Sequence, residues 1–213
     1  MGSREHWEAV YGQKGPEQVS WYQAHLERSL RFIEAAHLAG DAAIIDVGGG
    51  TSTLVDDLLA RGYLNLSVLD ISAKAIDVAK ARLGAMASRV RWIAGDVTEV
   101  DLPPAAYDFW HDRAVFHFLR GERERRRYVA AVHRSVKPGG HVLVATFGPK
   151  GPERCSGLEV QRYGADQLHA EFGPGFQQVG ALTEMHTTPW GAEQQFVYCY
   201  CRVSSSADGR DRG

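Results

Sequence analysis

From about residue 20 to residue 203 the chain alternates short apolar runs with segments of helical period. "SWYQAHLERSLRFIEAAHL" sets Leu26, Leu30 and Ile33 three and four positions apart, which predicts an amphipathic helix over about residues 22–38. "AAIIDV" has the pattern of a short buried strand. It runs into three glycines, and Ser52 to Arg61 then reads as a helix closed by Gly62. "LNLSVLD" is a second strand, and "SAKAIDVAKARLGAMA" a second helix with Ser72 as its N-cap. "RVRWIAGD" and "AYDFWHD" are a third and a fourth strand. "RERRRYVAAVHRSV" is a helix with a charged outer face, stopped by "KPGG" before a fifth strand, "HVLVATF". Strands alternating with helices of this length predict five βα units, a mostly parallel α/β sheet with helices on both faces.

After Gly148 the pattern changes. A short helix near "GADQLHAEF" precedes two strand patterns, "FQQVGALTEMHTT" and "EQQFVYCYCRV", joined by a loop with Pro189 and Gly191. Two strands in succession without a helix imply an antiparallel hairpin at one sheet edge, for seven strands in all. One domain is expected over residues 22–203, after an N-terminal segment of residues 1–21. The polar tail "SSSADGRDRG", residues 204–213, is expected to be disordered.

Composition narrows the class. A formal charge of -2 gives no electrostatic case for a nucleic-acid surface. No apolar run approaches the roughly 20 residues that span a bilayer, and "MGSREHWEAV" lacks the apolar segment of a secretory signal. Three cysteines are an odd count without a disulfide framework, so a reducing cytoplasm is expected. The run "RGERERRR", residues 120–127, reads as a solvated helix face with internal ion pairs.

The candidate chemistry gathers at the strand ends. A glycine turn after the first strand of a parallel sheet brings backbone close to a ligand, or packs strand tightly on helix. Two acids favour the ligand. Asp70 ends the second strand, where a carboxylate accepts hydrogen bonds from a ribose diol, and Asp96 follows the third, where it meets an adenine amino group. An adenosine-bearing cofactor is the expectation.

With "IIDVGGGTS", "VLDIS", "AGDV" and "VKPGGHVLV" the chain resembles the class I S-adenosylmethionine-dependent methyltransferases over about residues 20–203. The resemblance implies a Rossmann-like seven-stranded sheet, S-adenosyl-L-methionine as cofactor, and an enzyme that transfers methyl groups. It places Asp46, Gly48 and Gly50 around the methionine part, Asp70 on the ribose hydroxyls, and Asp96 with Val97 on adenine. Gly49, Ile71 and His111 are counted with them, as is Ser52, which stands at the third small position of the family's glycine pattern. "SWYQAHLERSL", "LLARGY" and "LDIS" look like the protein-lysine methyltransferases of elongation factors and citrate synthase, which usually carry Asp-Lys-Gly after strand four. Here "HDRAVFHFL" stands in its place, similar to small-molecule thiol methyltransferases with an Asp-Arg pair. A small-molecule thiol, amine or carboxylate is therefore the expected acceptor, and a protein lysine the alternative. A nucleotide-binding module without catalysis, or an NAD-dependent reductase, is the more remote reading; a reductase needs a second parallel half and a Tyr-Lys pair, and neither is in the sequence.

Methyl transfer from a sulfonium needs alignment, and a base only when the acceptor arrives protonated. Beyond strand four stand Trp110, His111, Asp112, Arg113, Phe116 and His117. His111 or His117 is the candidate base, Asp112 the partner of a cationic group and Arg113 the clamp on an anionic one. Trp21 and Tyr22 are a lid over the cofactor or a hydrophobic staple. His186 and Trp190 belong to the hairpin loop near the substrate side. Cys199 and Cys201 share a strand face, but structural zinc usually needs four ligands at tighter spacing, so no metal is expected.

Overall fold

The computed structural model describes residues 2–13 and 15–205; of the expected tail, residues 206–213 lie outside that range. One sheet of seven strands organises it: β1 Ala43–Val47, β2 Asn65–Asp70, β3 Val90–Ala94, β4 Tyr107–Arg113, β5 Val136–Phe147, β6 Phe176–Thr187 and β7 Glu193–Val203. Their order is β3-β2-β1-β4-β5-β7-β6, with β7 antiparallel to both its neighbours. The last strand is thus inserted between β5 and β6. The helices are α1 Arg4–Gln13, α2 Glu27–Ala35, α3 Leu54–Ala60, α4 Ala73–Leu83, α5 Glu122–Ser135 and α6 Ala165–Phe172.

Strand alternation divides the interior into two cores. Ile44, Leu66, Val68, Phe109 and Leu143 pack against Leu30 and Ile33 of α2 and Leu54, Val55 and Leu58 of α3. On the other face Ile45, Val47, Trp110, Val142 and Val144 meet Tyr128 and Val132 of α5 and Leu168 and Phe172 of α6. Ser72 caps α4 as its sequence implies, its hydroxyl accepting from Ala75 N at 3.2 Å.

Four expectations are corrected. The helix expected from residue 22 starts at Glu27, because Ser20 to Gln23 are pulled into a turn by tertiary bonds: Thr53 Oγ1 donates to Gln23 O and His186 Nε2 to Ser20 O. This also removes the hydrophobic-staple reading of Trp21 and Tyr22, which lie outside the helix's first turn. An additional helix, α1, forms in the N-terminal segment, burying Trp7. Only four of the five βα units carry a helix. Between β3 and β4 the chain turns through Asp96, whose carboxylate accepts from Thr98 N and Oγ1, and then through the Pro103-Pro104 pair. The basic run, finally, pairs mainly with other elements: Arg120 with Glu159, Arg125 with Glu171 and Arg127 with Glu99, against one internal pair, Arg126 with Glu122.

One polar chain crosses the second core. Trp110 Nε1 donates to Tyr128 Oη at 3.0 Å, which donates to Asp112 Oδ2 at 2.6 Å; Asp112 also accepts from Val115 N and Phe116 N. It fastens the turn after β4, where Ala114 takes φ +75°. Tyr128→Phe would leave Trp110 N–H unpaired and Asp112 one donor short, all fully buried. A loss of about 1–3 kcal/mol is expected by urea denaturation, with the midpoint lowered at unchanged slope.

Candidate functional site

The glycine turn leaves β1 at its carboxyl end. Gly48 has φ +69° and donates its N–H to Leu69 O at 2.7 Å, so the turn is tied to β2. A side chain on Gly48 would overlap Val115 Cγ2, and one on Gly49 would overlap the Asp46 carboxylate. A methyl group on Gly50 would lie 2.6 Å from Asp70 Oδ2. Close approach of protein to protein therefore explains all three glycines. Gly50 N donates to Asp70 Oδ2 at 3.0 Å and Ser72 N to Oδ1 at 2.8 Å. Despite these bonds, burial raises the Asp70 carboxyl to about 6. Arg82 of α4 grips the far side of the turn, donating to Thr51 O and Ser52 O while pairing with Asp56 at 2.7 Å.

Two clefts meet over Gly48, with Trp21 and Arg113 in the walls of both. The first, about 560 Å³, is lined by Asp70, Ile71, Gly95 and Val97 at the strand ends and roofed by Trp7, Tyr11 and Phe118. Trp7 stacks edge-on against Phe118 and Trp21, and Glu8 of the same helix accepts from Ala73 N at 2.7 Å. The N-terminal helix is thus the roof over this end. The second cleft, about 420 Å³, is lined by Tyr22, Asp46, Thr51, Ser52 and His111.

The period of two in β4 sorts the residues that the sequence grouped together. His111 and Arg113 face the clefts; Asp112, with Trp110, faces α5 and is fully buried. Its oxygens are bonded within the protein, and burial raises it to about 7. The expected partnership of Asp112 with a cationic group is thereby replaced by a structural role at the turn. His117 is also fully buried, accepts from Phe147 N at 3.2 Å and is held down to about 3 by burial and by the Arg113 charge. It lines neither cleft, so its expected part as a base is corrected too. His111 Nδ1 donates to Asp46 Oδ1 at 2.7 Å, leaving Nε2 to accept from Ser29 Oγ at 2.8 Å. Arg113 spends Nη1 on Trp21 O at 2.8 Å and Nε on Tyr198 Oη at 3.3 Å, and its guanidinium lies 4.2 Å from the Phe196 ring centre. Asp46 Oδ2 and Arg113 Nη2 are buried without a partner.

Of the remaining candidates, Gly49 and Gly50 stand behind the cleft walls, and Asp96 turns its side chain to Thr98. His186 is a buried staple: Gln23 Nε2 donates to its Nδ1 at 3.1 Å while its Nε2 holds Ser20 O. Trp190 stays 60% exposed, away from the clefts. Trp7, Tyr11 and Arg82 were not singled out from the sequence. The spacing Trp7, Val10, Tyr11 is the helical signal that would have revealed the roof.

Residues 44–140 match the family model described as a methyltransferase domain. The eEF1A lysine and N-terminal methyltransferase of Bos taurus is 26% identical over 149 residues, 67% of this chain and 21% of that protein. The matched segment, with the sheet order and the glycine turn, is that of an S-adenosylmethionine-dependent methyltransferase domain. EEF1A lysine methyltransferase 2 of Homo sapiens is 22% identical, over 85% of this chain and 77% of that one. In fold, the methyltransferase is similar to a solved structure described as "Conversion of a Disulfide Bond into a Thioacetal Group during Echinomycin Biosynthesis". That likeness has a TM-score of 0.79 at 20% identity and covers 98% of this chain and 96% of that chain.

S-adenosylmethionine carries an apolar adenine, a ribose diol and a zwitterionic amino acid, and the two clefts offer a complement to each. Val97 and Ile71 flank the first, Asp70 stands at its floor, and Asp46, one of whose oxygens has no partner, lines the second. The residues fit the group. Because the turn has no space for a side chain, Gly48→Ala pairs left-handed strain with overlap on Val115. It is expected to cost about 2–4 kcal/mol in urea denaturation, partly recovered by adding Val115→Ala.

Proposed function

We propose that this methyltransferase binds S-adenosylmethionine across the two clefts, with Asp70 on the ribose and Asp46 on the methionine ammonium, and transfers its methyl group to a small anionic acceptor. The cofactor supplies an activated carbon on a sulfonium. What the chain contributes is alignment, exclusion of water and a fixed charge. His111 positions Asp46 by holding Oδ1, and Ser29 holds His111 in turn. Trp21, fastened by Arg113 and flanked by the His186 staple, closes the gap between the clefts. Cys155, Cys199 and Cys201 form no disulfide among the described residues, in keeping with a reducing cytoplasm.

The observation that carries the acceptor class is Arg113. A buried cation with an unpaired Nη2 between the two clefts favours an acceptor that is anionic, such as a thiolate or a carboxylate. It disfavours binding of an ammonium, whose charge it repels. With saturating cofactor, Arg113→Gln is expected to lower kcat/KM for such an acceptor by roughly 100-fold, and S-adenosylhomocysteine affinity, through the loosened Trp21, by roughly tenfold at most. Equal losses in both would assign the guanidinium to the cofactor carboxylate instead.

A second reading, a protein lysine, is favoured by the two named relatives, which are lysine methyltransferases of eEF1A. It is also favoured by an open groove beside Tyr22, where the exposed Glu27 offers a carboxylate to a basic segment. A methyl-release screen over thiols, carboxylic acids, amines and a cell lysate separates the two.

Asp70 gives a pH dependence. Its carboxyl sits near 6, so the ionised form that accepts two ribose hydroxyls is present above that pH and lost below it. S-adenosylhomocysteine affinity, read by calorimetry, is expected to fall as pH decreases through about 6. Asp70→Ala should weaken it by roughly 100-fold at pH 8 and flatten the profile.

A further inference from the structure

Away from the clefts, on the sheet face that carries α5 and α6, three metal-ligating side chains converge. Cys199 and Cys201 alternate along β7 with Tyr198 and Tyr200 and so point together toward α6. From that helix His169 meets them. The two sulfurs lie 3.3 Å apart; His169 Nδ1 is 3.3 Å from Cys201 Sγ and 4.0 Å from Cys199 Sγ. Among the described residues this is the one place where three or more His, Cys, Asp or Glu side chains bring ligand atoms within 4.8 Å of one another.

The triangle has the size of a coordination sphere. A point equidistant from corners separated by 3.3, 3.3 and 4.0 Å lies about 2.1 Å from each, against metal–nitrogen bonds of about 2.0–2.1 Å and metal–sulfur bonds of about 2.3 Å. A small outward step of the ion brings both sulfurs to full bond length. Two thiolates and one imidazole are a soft set, and soft sulfur donors select monovalent copper or zinc over harder ions. Structural zinc asks for four ligands, and no fourth His, Cys, Asp or Glu joins the group among the described residues. Both cysteines are about 1% exposed, while His169 is half-buried and forms the approach from solvent. Without a metal, the imidazole nitrogen facing the sulfurs has only weak thiol donors.

We propose that His169, Cys199 and Cys201 form a three-coordinate site for a soft monovalent cation of the copper(I) kind, pinning α6 to β7. Thirty positions separate His169 from Cys199, so no local spacing joins it to the cysteine pair. Binding forms two metal–sulfur bonds and one metal–nitrogen bond and releases the two thiol protons to solvent, with no change of oxidation state.

The test uses the full chain, reduced and anaerobic, titrated with copper(I) against a competing chelator, and separately with zinc. Retention of about one equivalent of copper(I) is expected, with X-ray absorption showing two sulfurs and one nitrogen around the ion. Cys199→Ser and Cys201→Ser should each lower the affinity at least roughly tenfold, and His169→Ala likewise, while Cys155→Ser does not. S-adenosylhomocysteine binding, at a site none of the three touches, reports that each variant is folded. The absorption measurement on the wild type needs no variant at all. The proposal is overturned if copper(I) binds the wild type no more tightly than the Cys199→Ser/Cys201→Ser double variant. Zinc bound with a fourth, solvent ligand in preference to copper overturns the three-coordinate assignment. Oxidation of the pair to an intrachain disulfide while both metals stay unbound assigns it to redox chemistry instead.

Discussion

Two buried carboxylates, Asp46 and Asp70, occupy the space that side chains on Gly49 and Gly50 would need. Everything at the carboxyl end of the sheet is arranged around that constraint. A carboxylate taken out of water needs donors, and Asp70 finds two in the backbone of the turn and of the next helix. Asp46 finds one, in His111 on the neighbouring strand, and the parallel register sets those two residues side by side. The turn is thus shaped by the protein's own anions, and the cleft surface over it is already made. Burial still raises Asp70 to about 6, so its two donors do not fully replace water. A ligand diol that donates two more would complete the set, which is why the proposed ribose contact falls to this carboxylate.

The same logic separates the residues of β4. In sequence His111, Asp112 and Arg113 are adjacent, and adjacency suggests one constellation. On a strand it guarantees the opposite, because neighbours face opposite sides. Asp112 consequently serves Tyr128 and the turn after β4, and its neighbours serve the clefts. That turn in turn carries Val115, the residue filling the space above Gly48, so the Trp110–Tyr128–Asp112 chain on one face helps to shape the ligand surface on the other.

How much was legible in the sequence follows from which forces act locally. The alternation of strands and helices, the closing antiparallel hairpin, Ser72 as a cap and the placing of Gly48, Asp70, Ile71 and Val97 at strand ends are set by patterns within a few residues, and the sequence carries them. The start of α2 is decided by bonds from Thr53 and His186, the latter more than 160 positions away in the chain. No local rule contains them. The role of His117 depends on depth alone, since an imidazole under Phe118 and Phe147 is silent whatever its neighbours in sequence. The roof helix is a different case, for Trp7 and Tyr11 stand at helical spacing and their signal is local.

Arg113 connects the two halves of the molecule. It rises from β4, reaches across the boundary of the clefts to Trp21 O, and shares Tyr198 with Glu184 of β6 through a 2.7 Å hydrogen bond from Tyr198 Oη. Through these bonds the segment before α2 and the edge of the sheet are held by one guanidinium, whose planar fork is suited to making several bonds at once. A lysine at this position would supply the charge but not the geometry, because its ammonium cannot reach Trp21 O and Tyr198 Oη from one rigid plane. The closure of the cleft and the charge at its centre are therefore the same physical object. Moving that guanidinium would therefore release Trp21 and Tyr198 together, and with them the wall that the two clefts share.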